Sequence, residues 1–110
     1  APDIKKDTPT IATLPASNHL QLTAVVEMLK PLRYTPAGVP ALELELTHES
    51  QQREAGSNCS IKLSLRAIAF GLLAEQLAKC QLGTQLQLTG FLAAGRTGKG
   101  CIFHIQAFHI

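Results

Sequence analysis

Hydrophobic and polar residues alternate along most of this chain, and that period of two predicts β-strands rather than helices. The first predicted strand lies in HLQLTAVVEML, residues 19–29, where one face carries Leu20, Leu22, Ala24, Val26 and Met28. Residues 30–38 contain prolines and a glycine, which predict a rigid turn. Residues 39–48 form the second strand, whose leucines alternate with Glu43, Glu45 and Thr47.

The segment after the second strand, residues 50–58, has no apolar spacing and predicts an exposed loop. Residues 59–68 predict a third strand, whose inward side chains are Cys59, Ile61, Leu63, Leu65 and Ala67. Residues 69–79 have helical spacing through Phe70, Leu73 and Leu77, which predicts a short helix or an irregular crossover. Both Phe70 and Phe103 fit core positions.

The remaining strands follow a glycine-containing pattern. Residues 84–93 predict a fourth strand in which Gly90 marks a bulge or a sharp coil. Its inward side chains are Leu86, Leu88 and Leu92. Residues 94–100 predict a loop with three glycines and two cations, and residues 101–110 predict a fifth strand.

The predicted fold is all-β: a single OB-fold, which is a five-stranded Greek-key barrel. Strand count does not fix connectivity, so a β-sandwich of another topology also fits. Residues 1–17 hold three of the six prolines and no periodic pattern. We interpret them as a flexible N-terminal extension or a remnant of an expression vector, which leaves residues 18–110 as the domain.

Composition limits the cellular compartments and the partners that this protein can be expected to have. No apolar stretch approaches the roughly 20 residues that span a bilayer, and no signal peptide is recognisable, so we expect a soluble intracellular protein without a membrane partner. The three cysteines are about twenty residues apart, which predicts reduced thiols and no zinc site. The formal net charge is +2, but residues 53–110 carry six Lys/Arg against two Asp/Glu. This asymmetry favours a polyanionic partner.

The sequence resembles a catalytic motif only incompletely. The segment GRTGKG, residues 95–100, resembles a phosphate-binding loop, but Gly100 stands where a Walker A motif needs Ser or Thr. Ala93 stands where that motif needs its first glycine. Glu43, Glu45 and Glu49 share a strand face that we interpret as solvated. We therefore predict no enzyme activity, no metal and no cofactor.

Cations on loops and on one strand remain as candidate chemistry. In an OB-fold, oligonucleotides lie on the face of strands 2 and 3 and on the first and last loops. Side chains predicted for these places could neutralise phosphates and, through the tyrosine, stack on a base. The predicted single-stranded-DNA-binding residues are Arg33, Tyr34, Lys62, Arg66, Arg96 and Lys99.

Several segments resemble one family. NHLQLTAVV, PLRYTPAGVPALELELTHES and LGTQLQLTGFLA, together with a basic loop before the final strand, are similar to segments of primosomal replication protein N, the PriB family. The resemblance covers residues 18–110. It implies a bacterial cytoplasmic, nucleoid-associated protein with an SSB-like OB-fold, related to bacterial single-stranded-DNA-binding protein. It also implies a homodimer that binds single-stranded DNA and stimulates the PriA helicase, with other primosome proteins, during replication restart.

The resemblance also assigns residues. It implies that Arg33 matches a basic residue of the first loop and Arg96 a lysine of the last loop. The chain departs from the family where Lys62 replaces a stacking tryptophan, Ser57 an aromatic and Glu49 a cation. These departures imply binding through phosphates more than through stacking.

Two alternatives remain open at this point. An OB-like protein-interaction subunit with little nucleic-acid affinity fits the missing aromatics. A general single-stranded-DNA-binding protein would be expected to end in an acidic tail, whereas this sequence ends in FHI. A homodimer is also expected because the first strand carries apolar residues on both faces, with Val25 and Leu29 opposite Leu22 and Val26.

Overall fold

In the computed structural model, which describes residues 16–98 and 100–110, the chain forms six β-strands and one short helix. The elements are β1 (Leu20–Leu29), β2 (Arg33–Tyr34), β3 (Pro40–Glu54), β4 (Ser57–Phe70), α1 (Leu72–Leu77), β5 (Gln85–Ala94) and β6 (Cys101–His109). The predicted N-terminal extension lies outside the described residues, apart from Ala16 and Ser17, which belong to no strand or helix.

The five long strands close a barrel in the order β1, β5, β6, β4, β3 and back to β1. The first part of β1 pairs with β5 and its second part with β3, so one strand completes both sides of the barrel. The only parallel pairing among the described strands joins β4 to β6 through Ala67–Phe103 and Ile68–His104. The two-residue strand β2 extends the sheet beyond β3. This is the predicted all-β barrel.

The core fills the inside of the barrel with alternating strand residues. Leu42, Leu44 and Leu46 of β3 are almost completely buried, as are Leu88 of β5 and Phe103 of β6. Burying a leucine or phenylalanine side chain contributes about 1.5–3 kcal/mol each, so these positions dominate the stability of the barrel. The inward faces predicted for the second and fourth strands are confirmed.

The prediction of a loop at residues 50–58 is wrong. Strands β3 and β4 continue to Glu54 and from Ser57 and form a long hairpin, whose outer part, residues 48–63, we call the β3–β4 arm. Ala55 and Gly56 at its tip both have positive φ, 52° and 79°, as in a type I′ turn. The arm extends past the barrel with most of its side chains exposed, so no alternating pattern marks residues 50–58 as strand.

The inward face predicted for the third strand is correct only where β4 belongs to the barrel, and not along the arm. Leu65 packs against the core and Ala67 is buried, as predicted. Leu63 is 38% exposed, and Cys59 and Ile61 are only half-buried, because they lie on the arm where no core covers them.

The inward face predicted for the first strand is wrong at Met28, because β1 contains a bulge. The register of β1 against β3 shifts between Val26 and Met28. Met28 therefore leaves the inward face and is 37% exposed, while Leu29 lies opposite Leu44 and packs against the core. Leu29 is thus partly covered by the core of its own chain.

The helical segment is shorter than its spacing predicts. α1 contains Leu72–Leu77, and Leu77 is buried under the barrel end. Phe70 is the last residue of β4 and is 43% exposed, so its predicted core position is wrong. It follows the buried Ala69, and neighbouring strand residues point to opposite faces. Within the described residues, no helix is long and apolar enough to cross a membrane.

Candidate nucleic-acid interface

A groove lies on the outer surface of the barrel, across β3 and β4 and beneath the loop that joins β5 to β6. Its volume is about 380 Å³. We call it the cationic groove, and its lining consists of Met28, Lys30, Glu43, Leu44, Glu45, Arg66, Ala67, Ile68, Arg96, Thr97 and Ile102. Three of these side chains are cations and two are carboxylates, so the lining carries a small net positive charge.

Strand register explains why Arg66 faces the groove. Arg66 on β4 lies directly opposite Glu45 on β3, and directly opposite residues share one face of a sheet. Leu44, Ala67 and their neighbours on the other face are buried, so Arg66 points away from the core. Alternation in the sequence predicted this outward position correctly.

The β5–β6 loop brings Arg96 over the same groove. Gly98 donates its N–H to the Gly95 carbonyl at 2.8 Å, which holds residues 95–98 in a tight turn. Arg96 is exposed on that turn and lines the groove. Lys99, the other predicted loop cation, lies outside the described residues.

Arg33 reaches the groove through an ion pair. Its Nη2 atom donates a hydrogen bond to Glu43 Oε2 at 2.7 Å, and Lys30 Nζ lies 3.6 Å from Glu43 Oε1. Glu43 is thus held between two cations, which contradicts its interpretation as a simply solvated side chain. The alternation of β3 predicted its outward position but carried no signal for its partners.

The ion pairs keep Glu43 ionised. The hydrogen bond from Arg33 lowers the pKa of the Glu43 carboxyl below its ordinary value. The positive charges of Lys30, Arg33 and Arg96 act in the same direction, and partial burial opposes them. Because the pKa is lower in the folded chain, these pairs stabilise it above the unfolded pKa, and that contribution is lost as the pH falls through the folded pKa.

Lys62 and Tyr34 lie farther from the groove. Lys62 is on the β3–β4 arm opposite Glu49, with their charged atoms 3.9 Å apart and both side chains mostly exposed. Such a pair is readily exchanged for another anion. Tyr34 is 61% exposed and lies opposite Pro40, on the other side of β2 from Arg33, because neighbouring strand residues alternate.

The structure also reveals aromatic side chains that the sequence analysis did not assign to the site. The rings of Phe91 and His104 are stacked, with centroids 4.8 Å apart and planes 12° apart. The Phe70 ring centroid lies 6.2 Å from that of His104. We call Phe70, Phe91 and His104 the aromatic patch. Helical spacing drew Phe70 into a predicted core, and only the paired register of β4, β5 and β6 brings the three rings together.

The aromatic patch and the cationic groove share one continuous face. Phe91 lies opposite His104, His104 beside Ile68, and Ile68 opposite Glu43. A strand of nucleic acid on this face would meet cations at one end and ring surfaces at the other. Across residues 16–98 and 100–110, no cluster of His, Cys, Asp and Glu is arranged to hold a metal ion.

Comparison with known proteins places the chain in a family. The profile described as another single-strand binding protein family matches residues 18–107. Replication restart protein PriB of Bordetella pertussis is 49% identical over 79 residues, which cover 72% of this chain and 74% of that protein. The chain belongs to the PriB family. PriB of Neisseria meningitidis serogroup B is 42% identical over 77 residues, covering 70% of this chain and 76% of that protein.

Solved structures agree with this assignment. PriB of Ralstonia solanacearum superimposes with a TM-score of 0.79 at 37% identity, covering 86% of this chain and 97% of that one. The single-stranded DNA binding protein of Thermus aquaticus superimposes with a TM-score of 0.68 at 20% identity, covering 84% of this chain and 49% of that one. The second likeness concerns the fold alone. The barrel of this PriB family member is therefore an SSB-like OB-fold, as the strand pattern predicted.

Proposed function

We propose that this chain binds single-stranded DNA as an accessory protein of the replication-restart primosome. The observation that carries the proposal is the cationic groove with the aromatic patch beside it, on the outer face of an OB barrel in a member of the PriB family. Cations that follow a backbone and rings that stack on bases are the two elements of single-strand recognition without sequence preference.

The proposed DNA path runs from the β3–β4 arm across the groove to the aromatic patch. Phosphates contact Arg33, Lys62, Arg66, Arg96 and Lys99. Bases stack on the exposed ring of Phe70 and on Tyr34 where the strand passes β2. The proposal includes the six residues assigned from the sequence and adds the aromatic patch to them.

The proposed role is that of an adaptor. The chain stimulates the PriA helicase and contacts other primosome proteins in the bacterial cytoplasm, at the nucleoid, without catalysis, a cofactor or a metal of its own. Membership of the PriB family supports this role.

A homodimer belongs to the proposal, and the open edge of β1 supports it. Residues 20–24 pair with β5 on one side, while the pairing of β1 with β3 begins only at Val25. An open strand edge offers unpaired N–H and C=O groups to another strand. We expect sedimentation equilibrium at micromolar concentration to give twice the chain mass. A single-chain mass at that concentration would contradict the dimer.

The test of DNA binding is a fluorescence anisotropy titration with a labelled oligo-dT of about 16 nucleotides, the upper site size of an OB-fold. Each phosphate neutralised on a single strand contributes about −0.7 to the slope of log affinity against log salt. Four to six contacts predict a slope on the order of −3 to −4. Blunt duplex DNA of the same length serves as the control and should bind more weakly.

The second candidate is an OB-like protein-interaction subunit with little nucleic-acid affinity. Glu43 and Glu45 favour it because they place two carboxylates in the groove, and the chain contains no tryptophan. Binding that is undetectable at low salt would move this candidate ahead of DNA binding.

A further inference from the structure

Glu43, one of the two carboxylates that line the cationic groove, is the one held between two cations. Its two oxygens face two different cations, Oε2 towards Arg33 at 2.7 Å and Oε1 towards Lys30 at 3.6 Å. Its side chain is 35% exposed, less than either partner, at 57% for Lys30 and 45% for Arg33. The Glu43 side chain is therefore less exposed to solvent than the cations that contact it.

This arrangement resembles the way a bound phosphate would be held. A guanidinium donates a short hydrogen bond to one oxygen, while an ammonium approaches the other. Arg96, on the loop above, adds to the positive potential that Glu43 experiences. Two cations from separate segments, Lys30 before β2 and Arg33 on β2, thus contact one carboxylate of β3, and Arg96 after β5 acts on it only through its charge.

We propose that Glu43 is a built-in counter-anion of the groove, which neutralises Arg33 and Lys30 in the free protein and must release them before they contact DNA phosphates. The proposal rests on single-stranded DNA binding as the proposed function and identifies the residue that limits its affinity. Glu43 lowers the affinity for DNA in two ways. It engages two cations, and its own charge repels a phosphate that enters the groove.

An internal competitor of this kind discriminates between ligands. A polyanion contacts Arg66, Lys62 and the loop cations at the same time and can afterwards displace Glu43, because its local concentration at the groove is high once the first contacts have formed. A single phosphate group has no such additional contacts. Glu43 therefore favours nucleic acid over small anions such as inorganic phosphate.

The test is Glu43→Gln, which keeps the shape of the side chain and removes its charge. We expect oligo-dT binding to tighten about threefold to tenfold at low salt, which lies within the range of about twofold to thirtyfold that two exposed ion pairs span. The salt slope should steepen by up to about 1.4, because two more cations become available at about 0.7 each. Glu75→Gln on α1, outside the groove lining, removes the same charge and should change affinity less than twofold.

A double-mutant cycle isolates the ion pair from the general charge change. If Glu43 engages Arg33, then Arg33→Ala should reduce affinity several times more in the Glu43→Gln background than in the wild type. Equal reductions in the two backgrounds would overturn the proposal. Circular dichroism melting of each variant confirms that the comparison is made between folded proteins.

The outcomes also separate this inference from the proposed function. If the wild type binds oligo-dT and Glu43→Gln binds equally or more weakly, DNA binding stands and the counter-anion is wrong, since Glu43 would then position Arg33 for binding. If neither protein binds at low salt, both proposals fail. If only Glu43→Gln binds, the counter-anion is supported, but single-stranded DNA binding by the wild type is contradicted.

Discussion

Gly90→Ala should destabilise the barrel by at least about 3 kcal/mol, beyond the usual range for overpacked sites. A Cβ atom at position 90 would lie 1.8 Å from the His104 carbonyl oxygen and 2.9 Å from its carbonyl carbon. Both atoms belong to the backbone of β6, which β5 holds through a ladder of pairs on either side of Gly90. The clash cannot be relieved by rotating a side chain, so the two strands must separate. Urea unfolding followed by circular dichroism measures the loss.

A second glycine provides the matched control for this prediction. Gly98 in the β5–β6 loop has φ of 77°, but a Cβ there would have no atom within 4 Å. Gly98→Ala should therefore cost only the conformational penalty of a positive φ, about 1–2 kcal/mol. If the two substitutions destabilise equally, the close approach of β5 to β6 is not the cause.

Replacing Arg66 and Arg96 together by alanine should weaken oligo-dT binding roughly tenfold to thirtyfold at low salt. Both side chains line the cationic groove, and neither takes part in the ion pairs of Glu43. Their loss should flatten the salt slope by about 1.4, because two phosphate contacts disappear. The same anisotropy titration, repeated at several salt concentrations, gives both quantities.

Two comparisons decide how this result is interpreted. Phe70→Ala should lower affinity by a salt-independent amount of roughly 1–3 kcal/mol if a base stacks there, with no change in slope. Lys79→Ala, which removes a cation beside α1 on another part of the surface, should leave the titration almost unchanged. An unchanged slope in the double variant would mean that the DNA does not pass through the groove.

The fold was predictable where one face of a strand is buried. The core covers only one side of β3, where Leu42, Leu44 and Leu46 are buried. Burial of one side only produces the alternation of apolar and polar residues from which the strand was predicted. Gly90 was also predictable as a bulge, since the register shifts between Thr89 and Gly90. The outer part of the β3–β4 arm, residues 50–58, was not predictable in this way, because both of its faces meet solvent and burial leaves no pattern.

The site was predictable only in part, for a related reason. Arg66 follows from strand alternation and Arg96 from its place in a glycine-containing loop. The ion pair of Arg33 with Glu43 does not follow from the sequence pattern, because it depends on how β2 pairs with β3. The aromatic patch depends on the register of three strands distant in sequence, and the bulge that moves Met28 outward has no marker comparable to a glycine.

Closure of the barrel through the parallel pairing of β4 with β6 has a consequence for the order of folding. The β3–β4 hairpin is local in sequence, and hairpins form within about 1–10 μs. The Ala67–Phe103 pairing joins distant parts of the chain, and barrels dominated by such contacts fold in roughly milliseconds to seconds. During that interval the leucines of β3 have a paired backbone but no β6 to cover them. Until Phe103 docks, the folding chain therefore exposes the apolar leucines of β3 and is prone to aggregation. Pairing of β6 is the step that buries this surface.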